Sequence, residues 1–301
     1  MTGGDNYDEF GLFRPNADEA GLPWSGPPEV RRESVTLATG QRVSCLVWGR
    51  ASPEVVLLHG GAQNAHTWDT VALALGRPLV AVDLPGHGRS DWRSDRDYWP
   101  VRNADAVAEV VSVLASDCRM IVGMSLGGLT AIRLAAQHAE QVERLVVVDV
   151  TPAVDAQKSA PIAEFVQGPE SFSSFDDLLE RTIRYNPTRS ESSLRRGIMH
   201  NARPLDDGRW VWRYDRLRPP GGTLRFTHLW DDVARLKMPT MLVTGALSGV
   251  VTAEDVEEFR RRKPDVRVEV VAGAGHSVQG DQPVELARLI SDFADDPQAS
   301  L

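Results

Sequence analysis

A serine framed by glycines, Gly123-Met124-Ser125-Leu126-Gly127-Gly128, follows the apolar pair Ile121-Val122 and precedes a helix-compatible run from Leu129 to Gln137. Small residues on both sides suit a sharp strand-to-helix turn, because the serine backbone is strained there and strand and helix approach closely. This is the layout of a nucleophile elbow, with Ser125 as the attacking hydroxyl. A serine hydroxyl is a weak nucleophile at neutral pH and needs a base within hydrogen-bond reach. The base needs a carboxylate to fix its tautomer, and donors must wait where the oxyanion develops.

Seven histidines compete for the role of base. His276 stands in Ala272-Gly-Ala-Gly-His-Ser-Val-Gln279, directly after the last expected strand, at the strand end where parallel sheets gather their chemistry. It is the expected base. His138 and His228 read as ordinary helix residues. His87, in the turn Pro85-Gly-His-Gly88, and His59 read as structural. His66 is expected at the entrance of a pocket, and His200 on a helix surface. The Gly-rich loop His59-Gly60-Gly61-Ala62 follows a short apolar run and is expected to offer one backbone N–H to the oxyanion. Gly61 is the expected donor, with Ala62 second; the amide of Leu126 is the other. Met124, His66 and Ala62 are expected to line the substrate pocket.

These residues need elements to hold them. Ser34–Leu37 and Val43–Trp48 alternate in polarity around Ala38-Thr39-Gly40-Gln41, as in a hairpin. Val55–Leu58, Leu79–Val82 and Leu145–Val148 are continuous apolar runs, expected of strands covered on both faces. Helices are expected near 67–75, over 103–114 with Asn103 as cap, and after the elbow. Residues 1–32, rich in Gly, Pro and acids, read as an extended arm. From 151 to 236 the strand–helix rhythm breaks into helix-like pieces around a short strand near 208–215, as in an inserted cap. There Phe165, Phe172, Phe175 and Trp230 are read first as the cap's own core. Trp210 and Trp212 are read as candidates for an apolar acyl site. The rhythm resumes with Thr240–Thr244, a helix near 253–262, Val266–Val271 and an amphipathic helix near 284–293. The alternation predicts an α/β domain with a mainly parallel sheet, built from 33–150 and 237–301.

His59-Gly-Gly, Asp83-Leu-Pro-Gly-His-Gly-Arg-Ser90, the elbow, Val148-Asp-Val-Thr-Pro152 and Gly275-His276 stand in the order seen in the α/β-hydrolase fold. Over most of 33–295 outside the cap, the chain resembles that family. It is most similar to capped serine esterases of actinobacteria, including mycobacterial ester hydrolases. The resemblance implies an eight-stranded sheet, a lid and no cofactor; it does not by itself give the substrate, since the fold carries many reactions. It also implies an acid after the seventh strand, but that turn reads Gly245-Ala-Leu-Ser248-Gly249, with serine where Asp would stand. Either the triad is degraded or the acid comes from elsewhere. Asp149, ending the sixth strand beside the elbow strand in the family's sheet order, is the expected acid; its other reading is a turn cap before Thr151-Pro152. Glu254 and Asp255 read as caps of the next helix.

The bulk properties narrow the classes. The 301 residues are 42% hydrophobic and 25% charged, an ordinary globular composition. A net charge of −9 argues against nucleic acid or an anionic membrane as partner. Two cysteines give neither a disulfide framework nor metal-ligand spacing. No signal peptide or membrane span is visible, so a cytoplasmic protein acting on a small-molecule ester is expected, with a monomer compatible. Ser at the elbow excludes the dehalogenase and epoxide-hydrolase chemistries, which need a carboxylate nucleophile. A C–C bond hydrolase, a lactonase or thioesterase, a perhydrolase, and a non-catalytic ligand-binding homologue remain as alternatives.

Overall fold

The structure, a computed structural model, describes residues 7–216 and 226–296. Its centre is an eight-stranded sheet: β1 (Val30–Thr36), β2 (Arg42–Trp48), β3 (Val55–Leu58), β4 (Leu79–Val82), β5 (Met120–Met124), β6 (Arg144–Val148), β9 (Thr240–Gly245) and β10 (Arg267–Val271), in the spatial order β1-β2-β4-β3-β5-β6-β9-β10. The hairpin β1–β2 and the β2–β4 pair are antiparallel, and every other pairing is parallel.

The continuous apolar runs are explained by two cores. Val56, Leu58, Ile121, Leu145 and Val147 face one cluster, and their alternates Val55, Leu57, Val122, Val146 and Val148 face the other. Strand side chains alternate faces, so a strand sandwiched between helix layers must be apolar at every position. The first layer contains α3 (Pro100–Leu114), α4 (Leu126–Gln137), α8 (Trp230–Val233) and α9 (Ala253–Arg262). The second contains α1 (Phe13–Glu19), α2 (Asp69–Leu75) and α11 (Pro283–Ala294). A short α10 (Val278–Asp281) precedes α11.

The arm is not simply extended. It carries α1, whose Phe13 is 1% exposed and packs its ring 4.8 Å from that of Trp48. Burying an aromatic against the sheet offsets the entropy of ordering the segment. Helix α3 starts at Pro100 rather than Asn103, because proline at a helix start loses no hydrogen bond. Asn103 is buried, and its amide donates to Tyr98 O at 3.0 Å.

Between β6 and β9 lie α5 (Ala160–Val166), α6 (Phe175–Tyr185), α7 (Glu191–Asn201) and the two-stranded pair β7 (Ala202–Pro204) and β8 (Trp210–Trp212). They share a small core of their own: Phe172, Leu178, Leu179, Leu194, Ile198 and Ala202. Phe226, Leu229, Trp230, Val233 and Leu236 belong instead to the main core, so the chain has returned to the main domain by Phe226 rather than after 236.

Candidate active site

The sheet register brings the reacting residues together. β5 and β6 pair Met124 with Val148, so the residues that follow, Ser125 and Asp149, emerge side by side at the C-terminal edge. Ser125 N–H donates to Val148 O (3.0 Å), and Asp149 N–H donates to Val243 O (2.7 Å). Ser125 holds φ 51°, ψ −117°, outside the regions that L-residues favour. Its glycine neighbours permit the turn: a Cβ at Gly123 would lie 2.3 Å from Gly127 O, and one at Gly127 would lie 2.3 Å from Leu58 O. The strain of the turn is held by packing on all sides.

Asp149 is fully buried and also has a positive φ, 51°, which Asp tolerates better than most residues. Its Oδ2 accepts from His276 Nδ1 at 2.8 Å and from Ser248 Oγ at 2.5 Å; its Oδ1 accepts from Gly245 N–H at 2.9 Å. Ser248, at the position where the resemblance implies an acid, is thus a hydrogen-bond donor to Asp149, one strand over. Sequence reading missed this role, because nothing in Gly245–Gly249 indicates what its serine faces. Asp255, read from the sequence as a helix cap, forms a capping box with Thr252 at the start of α9 and pairs with Lys158 at 2.6 Å.

Ser125, His276, Gly61, Ala62 and Met124 line one cavity of about 430 Å³, within the usual range for small-molecule sites. Among the described residues no hydrogen bond joins Ser125 to His276; such contacts are often loose before substrate arrives. The loop settles which amide is available. Ala62 N–H donates to His87 Nε2 (3.1 Å) and Gly60 N–H to Gln63 Oε1 (3.1 Å), while Gly61 N–H has no partner among the described residues. Leu126 is the first residue of α4, where backbone N–H groups lack an intrahelical acceptor.

The family model described as "Alpha/beta hydrolase family" matches residues 55–289. The chain belongs to the alpha/beta hydrolase family. It is 47% identical over 296 residues to the esterase Rv0045c of Mycobacterium tuberculosis, covering 96% of each chain. A solved structure of that esterase superposes with a TM-score of 0.87, covering 96% of this chain and 99% of the other. It is also 30% identical to a pimeloyl-[acyl-carrier protein] methyl ester esterase of Aeromonas hydrophila, over 80% of this chain and 95% of that one.

Two further histidines of this hydrolase scaffold carry structure. His59 donates from Nδ1 to Gly60 O (2.7 Å) and accepts Leu84 N–H at Nε2 (2.9 Å); His87 donates to Pro85 O (3.0 Å) while accepting from Ala62. Burial holds both neutral, pushing His59 down to about 3 and His87 below its usual range. Together they pin the loop 59–62 to the turn at 83–90.

His66 and His200 differ from what the sequence suggested. Both line the cavity, but both are buried, with their rings stacked 3.7 Å apart at 9°. His66 is bound on both nitrogens, by Asp69 Oδ2 (2.9 Å) and Glu9 Oε1 (3.1 Å). Burial would lower its pKa, but the charge of Asp69 and the hydrogen bonds to Asp69 and Glu9 outweigh it and hold it up at about 9. Burial raises the Asp69 carboxyl in turn; with two carboxyl groups and one imidazole in contact, the imidazolium is the favoured state. His200, buried beside that cation, is held well below its usual range and accepts from Tyr7 O–H at Nδ1, 2.6 Å. His66, Asp69 and His200 are close enough to suggest a metal site. The stacking argues otherwise: imidazole lone pairs lie in the ring plane, so two parallel rings cannot both point at one ion.

Trp212 lines the cavity, while Trp210 does not. Trp210 packs edge-on to Phe175, 5.1 Å away, and exchanges backbone hydrogen bonds with Phe172, so the inserted segment's own core claims it. Among the described residues no helix is long and apolar enough to cross a membrane.

Proposed function

We propose that this chain hydrolyses carboxylic esters through an acyl-enzyme on Ser125, with His276 as base and Asp149 as the acid that orients it. The observation that carries this is the Asp149–His276 hydrogen bond at 2.8 Å, its histidine facing the cavity that Ser125 also lines. Family membership and the likeness to a named esterase over nearly the full chain support the same chemistry.

Ser125 Oγ attacks the ester carbonyl as His276 Nε2 takes its proton. Asp149 steadies the imidazolium through Nδ1–H, and the oxyanion accepts from the amides of Gly61 and Leu126. His276 then protonates the departing alcohol. Water, deprotonated by the same nitrogen, attacks the acyl-serine and releases the acid. No step calls on a cofactor. The inserted segment, 151 to about 216, acts as the cap over the cavity, and a volume of about 430 Å³ suits short to medium acyl chains.

A serine-directed fluorophosphonate is expected to label Ser125, and Ser125→Ala to lose both labelling and p-nitrophenyl ester cleavage. Wild-type turnover in that variant would overturn the mechanism. The C–C hydrolase, lactonase, thioesterase and perhydrolase readings use the same residues and separate from this one by substrate profile. The departure at Ser248, the one feature favouring a non-catalytic homologue, is answered by its hydrogen bond to Asp149.

A further inference from the structure

The cavity lining is of two kinds. Pro161, Ile162, Phe165, Val166 and Trp212 give an apolar part suited to an alkyl chain. Helix α7 and the residue before its cap give a polar part. Arg189, Ser193, Gly197 and His200 recur at helical spacing and all line the cavity. Gly197 has no heavy atom within 4 Å of where a Cβ would stand, so space is open along this face.

Among the described residues, Arg189 is the arginine of the cavity that forms no ion pair at contact distance. Its Nη2 donates to Ser193 Oγ at 2.7 Å, its Nε is buried without a partner, and no carboxylate lies within 4.0 Å of it among the described residues. Its guanidinium rests against Gly280, where a Cβ would meet Cζ at 3.0 Å. Burial lowers its pKa, and the longer-range charges of Asp281 and Glu19 offset this only in part. The other cations here are matched: Lys158 by Asp255, Arg196 by Glu19 and Asn16, His66 by Asp69 and Glu9. The acids closest to Arg189 are engaged too. Asp281 accepts from Thr188 Oγ1 (3.0 Å) and Gly275 N–H (2.8 Å), and Glu19 is held by Ser190, Ser192 and Arg196. One more cavity side chain is almost wholly buried with an orphaned polar atom, Gln279, 1% exposed, at Oε1; His200 Nε2 instead lies 3.7 Å from Asp69 Oδ2. Buried polar groups are rarely left unsatisfied unless a water or ligand completes them.

We propose that this polar face is a subsite for a carboxylate carried by the ester substrate, with Arg189 as its counter-charge. The inference rests on the ester-hydrolysis reading above and adds the substrate class: half-esters of dicarboxylic acids, whose chain spans from Ser125 to Arg189. A guanidinium fork matches a carboxylate geometrically, and an uncharged ester leaves that fork desolvated and unpaired.

The test compares kcat/KM for methyl half-esters of linear dicarboxylic acids of graded length with that for the dimethyl diesters of the same length. Wild type is expected to favour the half-ester by about tenfold or more at its best length. In Arg189→Gln that ratio falls to about one, and Arg189→Lys is intermediate. Gly197→Leu, which improves helix propensity while filling the open space, is expected to depress the half-ester selectively and stands in should Arg189→Gln fail to fold. Arg195→Gln, at an exposed arginine paired with Glu191, keeps the wild-type ratio. A wild-type ratio near one with the diesters turned over overturns the subsite and leaves the esterase reading intact, as does a ratio that survives Arg189→Gln. Turnover of no ester at all overturns the esterase reading, and the subsite with it.

Discussion

Two histidine–carboxylate pairs border the same cavity and differ little in their central bond. His276 meets Asp149 at 2.8 Å and His66 meets Asp69 at 2.9 Å, each from Nδ1 to Oδ2. The second nitrogen separates them. Among the described residues His276 has only Asp149 as side-chain partner, and it keeps 19% of its side chain exposed, toward the cavity that Ser125 lines. His66 is 3% exposed, and its Nε2 is taken by Glu9 from the N-terminal arm. A proton-transfer group must exchange its proton with a reacting atom; a histidine closed at both nitrogens by carboxylates is a buried cation. The pairing alone therefore does not make a base.

The largest difference between the pairs should appear on truncation. His276→Ala is expected to lower kcat by about 10⁴- to 10⁶-fold, while His66→Gln leaves ester turnover within a few-fold; steady-state kinetics on a p-nitrophenyl ester compares them. Asp149→Asn comes next, about 10⁴-fold in kcat with the fold intact by circular dichroism, because the amide favours the wrong imidazole tautomer. Near wild-type turnover in Asp149→Asn would remove it from the relay.

Stability should rank the pairs the other way. His66→Gln leaves Asp69 buried without its cation, while Glu9 keeps Arg32 and Arg89, and is expected to cost about 3–5 kcal/mol in denaturant unfolding. The same cluster predicts a pH dependence. The pKa of His66 is raised in the fold to about 9, so its contribution is full below the unfolded value near 6.5 and is lost as pH rises through 9. Burial acts to raise Glu9, but hydrogen bonds from His66 and Arg32 hold it down at about 2; its contribution is present above about 4.5 and fades as pH falls toward 2. Thermal melts should therefore be highest between about pH 4.5 and 6.5, with the alkaline decline flattened in His66→Gln. The smallest effect belongs to Ser248→Ala. Losing one of three donors to Asp149 should cost about tenfold in kcat/KM, and a change beyond 10³-fold would give Ser248 a larger part than orienting the acid.

Much of this architecture was legible from local pattern. The elbow, the His-Gly-Gly loop and the apolar runs are short-range signals, because a strained turn needs glycine and a doubly covered strand needs unbroken hydrophobicity. Ser125, His276, Gly61 and Leu126 are candidates for that reason, whereas Asp149 follows from the family's sheet order. The roles of Ser248, Glu9, Tyr7 and His200 could not. Each depends on contacts across 57 to 193 positions of sequence: Ser248 to Asp149, Glu9 and His200 to their partners around His66, Tyr7 to His200. Trp210 and Trp212 make the same point at close range. They sit two residues apart in one short strand, yet Trp212 lines the cavity and Trp210 does not. Pattern declares that a residue is apolar or titratable. Only the packed tertiary structure decides which of its atoms remain free, and that decides whether a histidine is a base or a fixed charge.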